Sequence, residues 1–393
     1  MSRFLLVSHS ASQSGAPIAL LQLAQKMIAR GHQVGFLCGT GGPILDEFQR
    51  LGPVTVLEAI HGANGSFSKT RQLKNKIKDL RNKMAVQGLL KRFRPDVCYI
   101  NTLACWHAGQ YLAGTRIPKV VHVHELSWVI DHFCGRQNAT NLMDLAGAVV
   151  ACSQEVADNL AQTFDMKSRS IRVVRAFVDV AKLENGQRSI PSDSFRRHLG
   201  IGESDFVVGS LGAADWRKGI DLFIPLAKSL VAQIPHARFV WMGHVESQTL
   251  LPSLSKDVQD ANLQKHVFFE KPRKDVEGFL SSMDVYASLG REDPYPLSVL
   301  EAGYFGKPVV CFDGTGGIPE FARRGAGIVV PYLSLDDFRD ALLRLHRDVE
   351  TCKQFGAKAR ELVLEHHEMN SACDQIIEFV VSQSVQSPVK QQV

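Results

Sequence analysis

Apolar residues in this chain fall into short continuous runs, separated by longer stretches in which they recur at helical spacing. The first run, FLLVSHS, has the length and continuity of a strand covered on both faces. A loop of small residues, ASQSGAP, comes next. In IALLQLAQKMIARG the apolar Leu21, Ala24 and Ile28 share one helical face, and Gly31 supplies a C-terminal stop. QVGFLCG then reads as a strand and GGPILDEFQRLG as a helix, and DVCYIN, KVVHVHE and GAVVACS continue the strand series. Strands alternating with helices predict a parallel, doubly wound sheet.

The pattern restarts after a linker near residues 183–205, where FVVGSLG opens a second series continued by RFVWMGH, HVFFEK, VYASLG, PVVCF and GIVVP. The expected fold class is therefore α/β, with two Rossmann-like doubly wound domains. The N-terminal domain is expected over 1–185, the C-terminal domain over 186–365, and a last helix with a frayed tail over 366–393. A short echo links CGTGGPILDEFQRLG to DGTGGIPEFARRG, each read as a strand end, a Gly-rich turn and a helix.

Length and composition agree with this picture. A chain of 393 residues exceeds one ordinary core, and 45% hydrophobic with 22% charged residues suits a globular protein. No apolar run approaches the ~20 residues of a membrane span. MSRFLLVSHSAS lacks a signal-peptide core, and eight cysteines without a CxxC pair fit reduced thiols, so a cytoplasmic protein is expected. A net charge of +5 is too small to argue for a nucleic-acid partner.

Parallel sheets bind ligands beyond the carboxyl ends of their strands, which directs attention to the loops found there. In SHSASQSGAP, Gly15 either lets backbone N–H groups approach a phosphate or simply makes a tight turn. Neither this loop nor DGTGGIP is GxGxxG, because Pro319 occupies the third glycine position of the latter, and a nicotinamide dehydrogenase is disfavoured. In HVHELSW, His124 and Glu125 end a strand while His122 turns inward. No third ligand joins the two histidines to make a metal site. In GSLGAADWRKGIDLF, Asp215 and Trp216 lead into Arg217 and Lys218, which either neutralise a departing diphosphate or form a solvated pair. In GREDPYPLSVLEAGYFGKPVV, Asp293 lies in a Pro-rich turn and Glu301 in the helix beginning near Leu297. Such a helix start offers N–H groups to phosphate, and a carboxylate can accept from both hydroxyls of a ribose diol. Glu320 adds another acid to the same edge.

Taken in order, these pieces resemble the retaining glycosyltransferases of the GT-B fold, family 4 (glycosyl transferases group 1). The E-x7-E, A-x-x-x-G-x-P-V signature of that family is similar to DPYPLSVLEAGYFGKPVV, and SQSGAP, RGHQV, RPDVCYIN, HVHE, KGID and GGIPE match in order over nearly the whole chain. The resemblance implies an N-terminal acceptor domain, a C-terminal nucleotide-sugar domain, an interdomain cleft and a C-terminal helix returning to the N-terminal domain. It also implies catalytic roles for His124, Asp293 and Lys218, and donor binding by Gly15, Arg217, Lys218, Leu297, Ser298 and Glu301. The implied reaction is metal-independent hexosyl transfer from a nucleotide-sugar to a saccharide or lipid-linked acceptor, in surface polysaccharide biosynthesis. It needs no cofactor, and the chain has no DxD.

Three departures bear on that reading. The first signature acid is Asp rather than Glu. Ser210 replaces an arginine early in the second half, and Arg175-Ala176-Phe177-Val178-Asp179 replaces an Asn-Gly pair. Two alternatives therefore accompany it, a catalytically inactive nucleotide-sugar-binding protein and a non-hydrolysing UDP-sugar 2-epimerase. Residues 69–94 carry ten Lys/Arg against one Asp, with Leu73, Ile77, Leu80 and Met84 at helical spacing. Two readings stand: a helix packed by that stripe with a solvated basic face, or a peripheral contact with an anionic inner membrane face.

Overall fold

The computed structural model describes residues 1–60, 69–164, 166, 170–189, 194–245, 247, 249–273 and 275–385. Two compact units are present, residues 1–174 with 373–393, and residues 175–372. The division follows Val174 rather than residue 185. The reason is that the helix Val180–Ser189 packs on the helices Val276–Ser282 and Leu297–Tyr304 of the second unit. Part of the expected linker (190–193) and most of the expected frayed tail (386–393) lie outside the described residues.

The first unit holds β1 (Arg3–Ser8), β2 (Gln33–Cys38), β3 (Val54–Val56), β4 (Val97–Asn101), β5 (Lys119–Val123), β6 (Ala148–Ala151) and β7 (Ser170–Val173). They form one parallel sheet in the order β3-β2-β1-β4-β5-β6-β7. The two strands that the hydrophobic pattern did not disclose, β3 and β7, are the short edges, where little apolar surface needs covering. Central strands read as continuous apolar runs because both faces are buried: Phe4, Leu5, Leu6 and Val7 are all at 0% exposure. The closing helix Met369–Val385 joins this unit from Cys373 onward, where Asp374 accepts ion pairs from Lys26 at 3.6 Å and Arg30 at 3.0 Å.

The second unit repeats the plan with β8 (Phe206–Leu211), β9 (Ala237–Met242), β10 (Val267–Glu270), β11 (Val285–Ser288), β12 (Val309–Phe312) and β13 (Gly327–Val330). Their order is β10-β9-β8-β11-β12-β13, again all parallel. Its core gathers Phe223, Phe239, Trp241, Phe312 and Phe338 between sheet and helices. The sequence echo is not a structural repeat, because it pairs the end of β2 with the end of β12, which are different positions in the two sheets. The strand order reverses between β1 and β4 in one unit and between β8 and β11 in the other. Loops leaving these neighbouring strands diverge to opposite faces and open a crevice, the place where doubly wound sheets bind ligands.

The helix Lys69–Phe93 corrects one expectation. Leu73, Ile77, Leu80 and Met84 do not pack inward; they are 60%, 45%, 59% and 64% exposed. The buried face carries Asn82, Val86 and Leu89 instead. Asn82 accepts the Glu58 N–H at 2.8 Å and donates to the Glu58 carbonyl at 3.0 Å, satisfying a loop edge that an apolar residue would leave unpaired. All eight cysteines are free thiols, seven of them buried. No described helix is long and apolar enough to cross a membrane.

Candidate functional site

In the second unit the loops following β8 and β11 meet at the reversal point. Gly219 makes the approach feasible: it has φ +78°, and a Cβ there would lie 2.1 Å from the Leu289 carbonyl oxygen. The Arg291 N–H donates to the Arg217 carbonyl at 2.8 Å. The Arg291 guanidinium also grips Asp221 at 2.8 and 2.7 Å and covers the Trp216 ring at 4.7 Å. So laced, the two loops bring Lys218 into an ion pair with Asp293, and place Arg217 4.0 Å from the other Asp293 oxygen and 2.9 Å from the Glu292 carbonyl. The Gly-rich turn after β12 holds Asp293 from the opposite side. The Asp293 N–H donates to Thr315 at 2.7 Å and the Gly317 N–H to Pro294 at 2.9 Å. A Cβ on Gly316 would stand 1.9 Å from the Asp293 carbonyl oxygen, so this contact requires glycine.

The helix Leu297–Tyr304 starts at Pro296 with no side-chain cap. The Ser298 hydroxyl is 2.7 Å from the Tyr286 hydroxyl, which also accepts the Leu211 N–H at 3.1 Å and donates to the Leu211 carbonyl at 2.9 Å. Burial pushes the Tyr286 phenol up, and the nearby Asp293 and Glu301 carboxylates push it further. Tyr286 thus ties the β8 end to the helix start and feels both acids. Burial also raises the Glu301 carboxyl, a trend that Lys182 opposes and Glu277 reinforces. Ser210, the position without its expected arginine, is buried and donates to the Ala287 carbonyl at 2.7 Å. Glu320 is paired with Arg175 at 2.5 Å.

The first unit builds a second cluster at its own reversal point. Gly15 opens the helix Gly15–Ala29 after an uncapped Ser14, and the loop before it is linked through Ser10, Ser12 and Ser14 hydroxyls at 2.9 Å steps. Asn101, at the end of β4, donates to the Ala16 carbonyl at 2.8 Å and pairs through its oxygen with His124 Nε2 at 3.0 Å. His124 is held neutral, its pKa lowered to about 4 by burial and then by the nearby His9. His122 is turned inward, buried, with Nδ1 2.5 Å from the Tyr99 hydroxyl. Glu125 is buried beside them. Its carboxylate accepts from the Thr102 hydroxyl, the His124 N–H at 2.9 Å and the Leu103 N–H at 3.2 Å. These bonds hold Thr102 at φ +89°, a backbone state that a β-branched residue avoids unless its surroundings impose it. Burial still dominates the Glu125 carboxyl, raising its pKa to about 7.

The structure therefore joins Arg217, Lys218 and Asp293 directly, links Ser298 through the Tyr286 hydroxyl to the end of β8, and carries Glu301 on the same helix as Ser298. It places Gly15 and His124 in the other unit. Three participants escaped the sequence reading. Tyr286 looked like an ordinary strand residue. Asn101 ended a strand and, by position alone, could have been noticed. His9 lies in the loop where only Gly15 drew attention; it lines a cavity of ≈150 Å³ with Thr40, Glu58, Asn82, His107 and Tyr111, and its Nδ1 is buried without a partner among the described residues. Among those residues no group of three or more His, Cys, Asp or Glu side chains is arranged to hold a metal.

Comparison with known proteins addresses both halves. Residues 13–182 match the model of Glycosyltransferase Family 4, and residues 191–362 match that of Glycosyl transferases group 1. The poly(ribitol-phosphate) alpha-N-acetylglucosaminyltransferase of Staphylococcus aureus is 22% identical over 79% of this chain and 61% of its own length. The GDP-mannose-dependent alpha-(1-6)-phosphatidylinositol monomannoside mannosyltransferase of Mycobacterium tuberculosis is 25% identical over 68% of this chain and 70% of its own. Among solved structures, Anabaena Alr3699/HepE in complex with UDP superposes with a TM-score of 0.78 at 21% identity, covering 97% of this chain and all of that one. The matches run through both units, and each unit has the strand order that puts its polar cluster at a reversal point. The chain belongs to the group 1, family 4 glycosyltransferases of the GT-B fold.

Proposed function

We propose that this protein transfers a hexosyl group from a nucleotide-sugar to a saccharide or lipid-linked saccharide acceptor, with retention of anomeric configuration, in surface polysaccharide biosynthesis. The observation that carries the reading is the convergence of Arg217, Lys218 and Asp293 at the β8/β11 reversal point, beside the uncapped start of the helix Leu297–Tyr304. As the bond from the anomeric carbon to the diphosphate oxygen breaks, negative charge collects on the diphosphate. Arg217, Lys218 and the Leu297 and Ser298 amides are the fixed positive groups that stabilise it. The acceptor hydroxyl forms the new bond, and its proton leaves on the released nucleoside diphosphate. Glu301 accepts from the ribose hydroxyls and Asp293 from those of the sugar, exchanging part of its pairing with Lys218. In this reading Gly15 and the neutral His124 keep the donor-binding and catalytic roles that the resemblance implies for them, and the cavity lined by His9, Glu58 and Tyr111 takes acceptor hydroxyls.

The reaction needs neither metal nor cofactor in this proposal. The enzyme works in the cytoplasm, at the inner membrane face when its acceptor is lipid-linked, with no nucleic-acid partner. One observation favours a second reading, nucleotide-sugar binding without turnover: Ser210 spends its hydroxyl on a neighbouring strand and offers no cation.

A thermal-shift screen of UDP-, GDP- and ADP-hexoses identifies the donor, and nucleoside diphosphate release is then followed with and without candidate acceptors. Transfer predicts release that depends on acceptor and an α-configured product from an α-linked donor. Stabilisation by donor with no release under any acceptor supports the binding protein, and an epimerised nucleotide-sugar supports the 2-epimerase.

A further inference from the structure

We infer that the helix Lys69–Phe93 is a membrane-docking element that inserts its apolar stripe into an anionic lipid surface while lysines and arginines on both flanks engage the headgroups. The inference rests on how the helix is seated. Its inner face, Asn82, Val86 and Leu89, is buried against the first unit, and Lys78 anchors the inner edge by donating to the Ala59 carbonyl at 2.8 Å. At ~100° per residue, Leu73, Ile77, Leu80 and Met84 lie on the opposite side of the cylinder from that inner face. Lys76 and Lys83 run along one side of the stripe, and Lys74 and Arg92 along the other, beside Arg81, which is ion-paired with Glu58 at 3.6 Å. A solvated surface helix does not need four large apolar side chains, 45–64% exposed, aligned along its outermost line.

The charge pattern decides the occupant. The 4-3-4 spacing of the stripe would suit a second copy of the helix, but two copies packed stripe to stripe would set cations against cations on both flanks. The one acid of the segment, Asp79, is taken by the Tyr111 hydroxyl at 2.7 Å. A polyanion such as nucleic acid would satisfy the cations and gain nothing from the stripe. An anionic bilayer satisfies both, as interfacial amphipathic helices do. The inference does not depend on the transfer reading, since docking is measured without donor or acceptor.

The test is cosedimentation of the full chain with vesicles of phosphatidylcholine alone or mixed with phosphatidylglycerol, at low and high salt. Binding should require phosphatidylglycerol. Lys74→Gln/Lys76→Gln/Lys83→Gln should weaken it about a hundredfold at low salt, roughly fivefold per cation. Leu80→Ser/Met84→Ser, which leaves every cation in place, should weaken it more than tenfold at either salt. Both variants should melt like the parent, because none of these residues is buried. Equal binding to neutral vesicles, or binding untouched by the Leu80/Met84 pair, would overturn the proposal. So would retention on heparin without vesicle binding, or a dimer of the parent that the Leu80/Met84 change dissolves.

Discussion

Lys218 and Asp293 stand 75 residues apart in sequence yet form one ion pair, and the cost of separating them can be worked from their surroundings. Their side chains are only 19% and 13% exposed, so the pair lies between the exposed case, worth ~0–1 kcal/mol, and the buried case, where removing one partner costs ~3–5 kcal/mol. When Lys218 is removed, Arg217 remains 4.0 Å from Asp293 and takes over part of the interaction. Lys218→Ala should therefore destabilise the second unit by only ~1–2 kcal/mol. Asp293→Ala leaves two cations facing each other and should cost ~2–4 kcal/mol. The double variant should cost at least ~1 kcal/mol less than the sum, which is the coupling energy of the pair. Hydrogen exchange of the β8 and β11 amides measures this for the second unit alone. In the assay of transfer, Lys218→Ala should lower kcat roughly a hundredfold to a thousandfold with a smaller change in KM, because the diphosphate charge peaks in the transition state. Stabilities that add to within ~0.5 kcal/mol would show that the pair is not coupled. A raised KM with intact kcat would reassign Lys218 to ground-state binding.

Other perturbations separate the remaining roles. Glu301→Ala should reduce kcat/KM roughly tenfold to a hundredfold, from charged hydrogen bonds worth ~1.5–3 kcal/mol each, and unchanged turnover would remove Glu301 from the ribose. Because burial raises the Glu301 carboxyl, donor affinity should begin to fall on acidification above the usual carboxylate range, and Glu301→Gln should abolish that part of the pH profile. For Glu125, the folded pKa of about 7 lies above its ordinary 4.5, so its contribution to stability is complete at low pH and is lost as pH rises through 7. Glu125→Gln should cancel ~3 kcal/mol of that loss, read as exchange protection of the Leu103 amide between acidic and mildly alkaline pH. His124 has the opposite slope, since its folded pKa of about 4 lies below 6.5, but it is present in both proteins and drops out of the difference. Transfer should persist in excess chelator, and activity abolished by chelator and restored by manganese or magnesium would count against the proposed chemistry.

Much of the cluster around Lys218 and Asp293 is legible in the sequence alone. KGID, GGIPE and the acid-x7-acid run are local, and each glycine that they contain at a close approach, Gly219 or Gly316, is demanded by backbone within a few ångströms. Other members were hidden because their roles arise from neighbours that sequence does not bring together. Tyr286 matters only because Leu211 and Ser298 reach its hydroxyl. Thr102 is held at positive φ only because Glu125 is packed beneath it. No residue type signals either arrangement.

By itself the sequence determined the number and kind of elements. A buried parallel strand must be a continuous apolar run, and an amphipathic helix must repeat at 3.6 residues, so β1, β4 and β5 are visible in composition alone. Only the tertiary structure decided which way an element faces. In Lys69–Phe93 the periodic apolar stripe was plain, and packing it inward was the natural expectation. Yet the helix turns that stripe out and buries Asn82, because the Glu58 backbone needs both a donor and an acceptor there. Periodicity tells which side chains share a face. Which face is buried depends on polar groups elsewhere in the chain that must be satisfied.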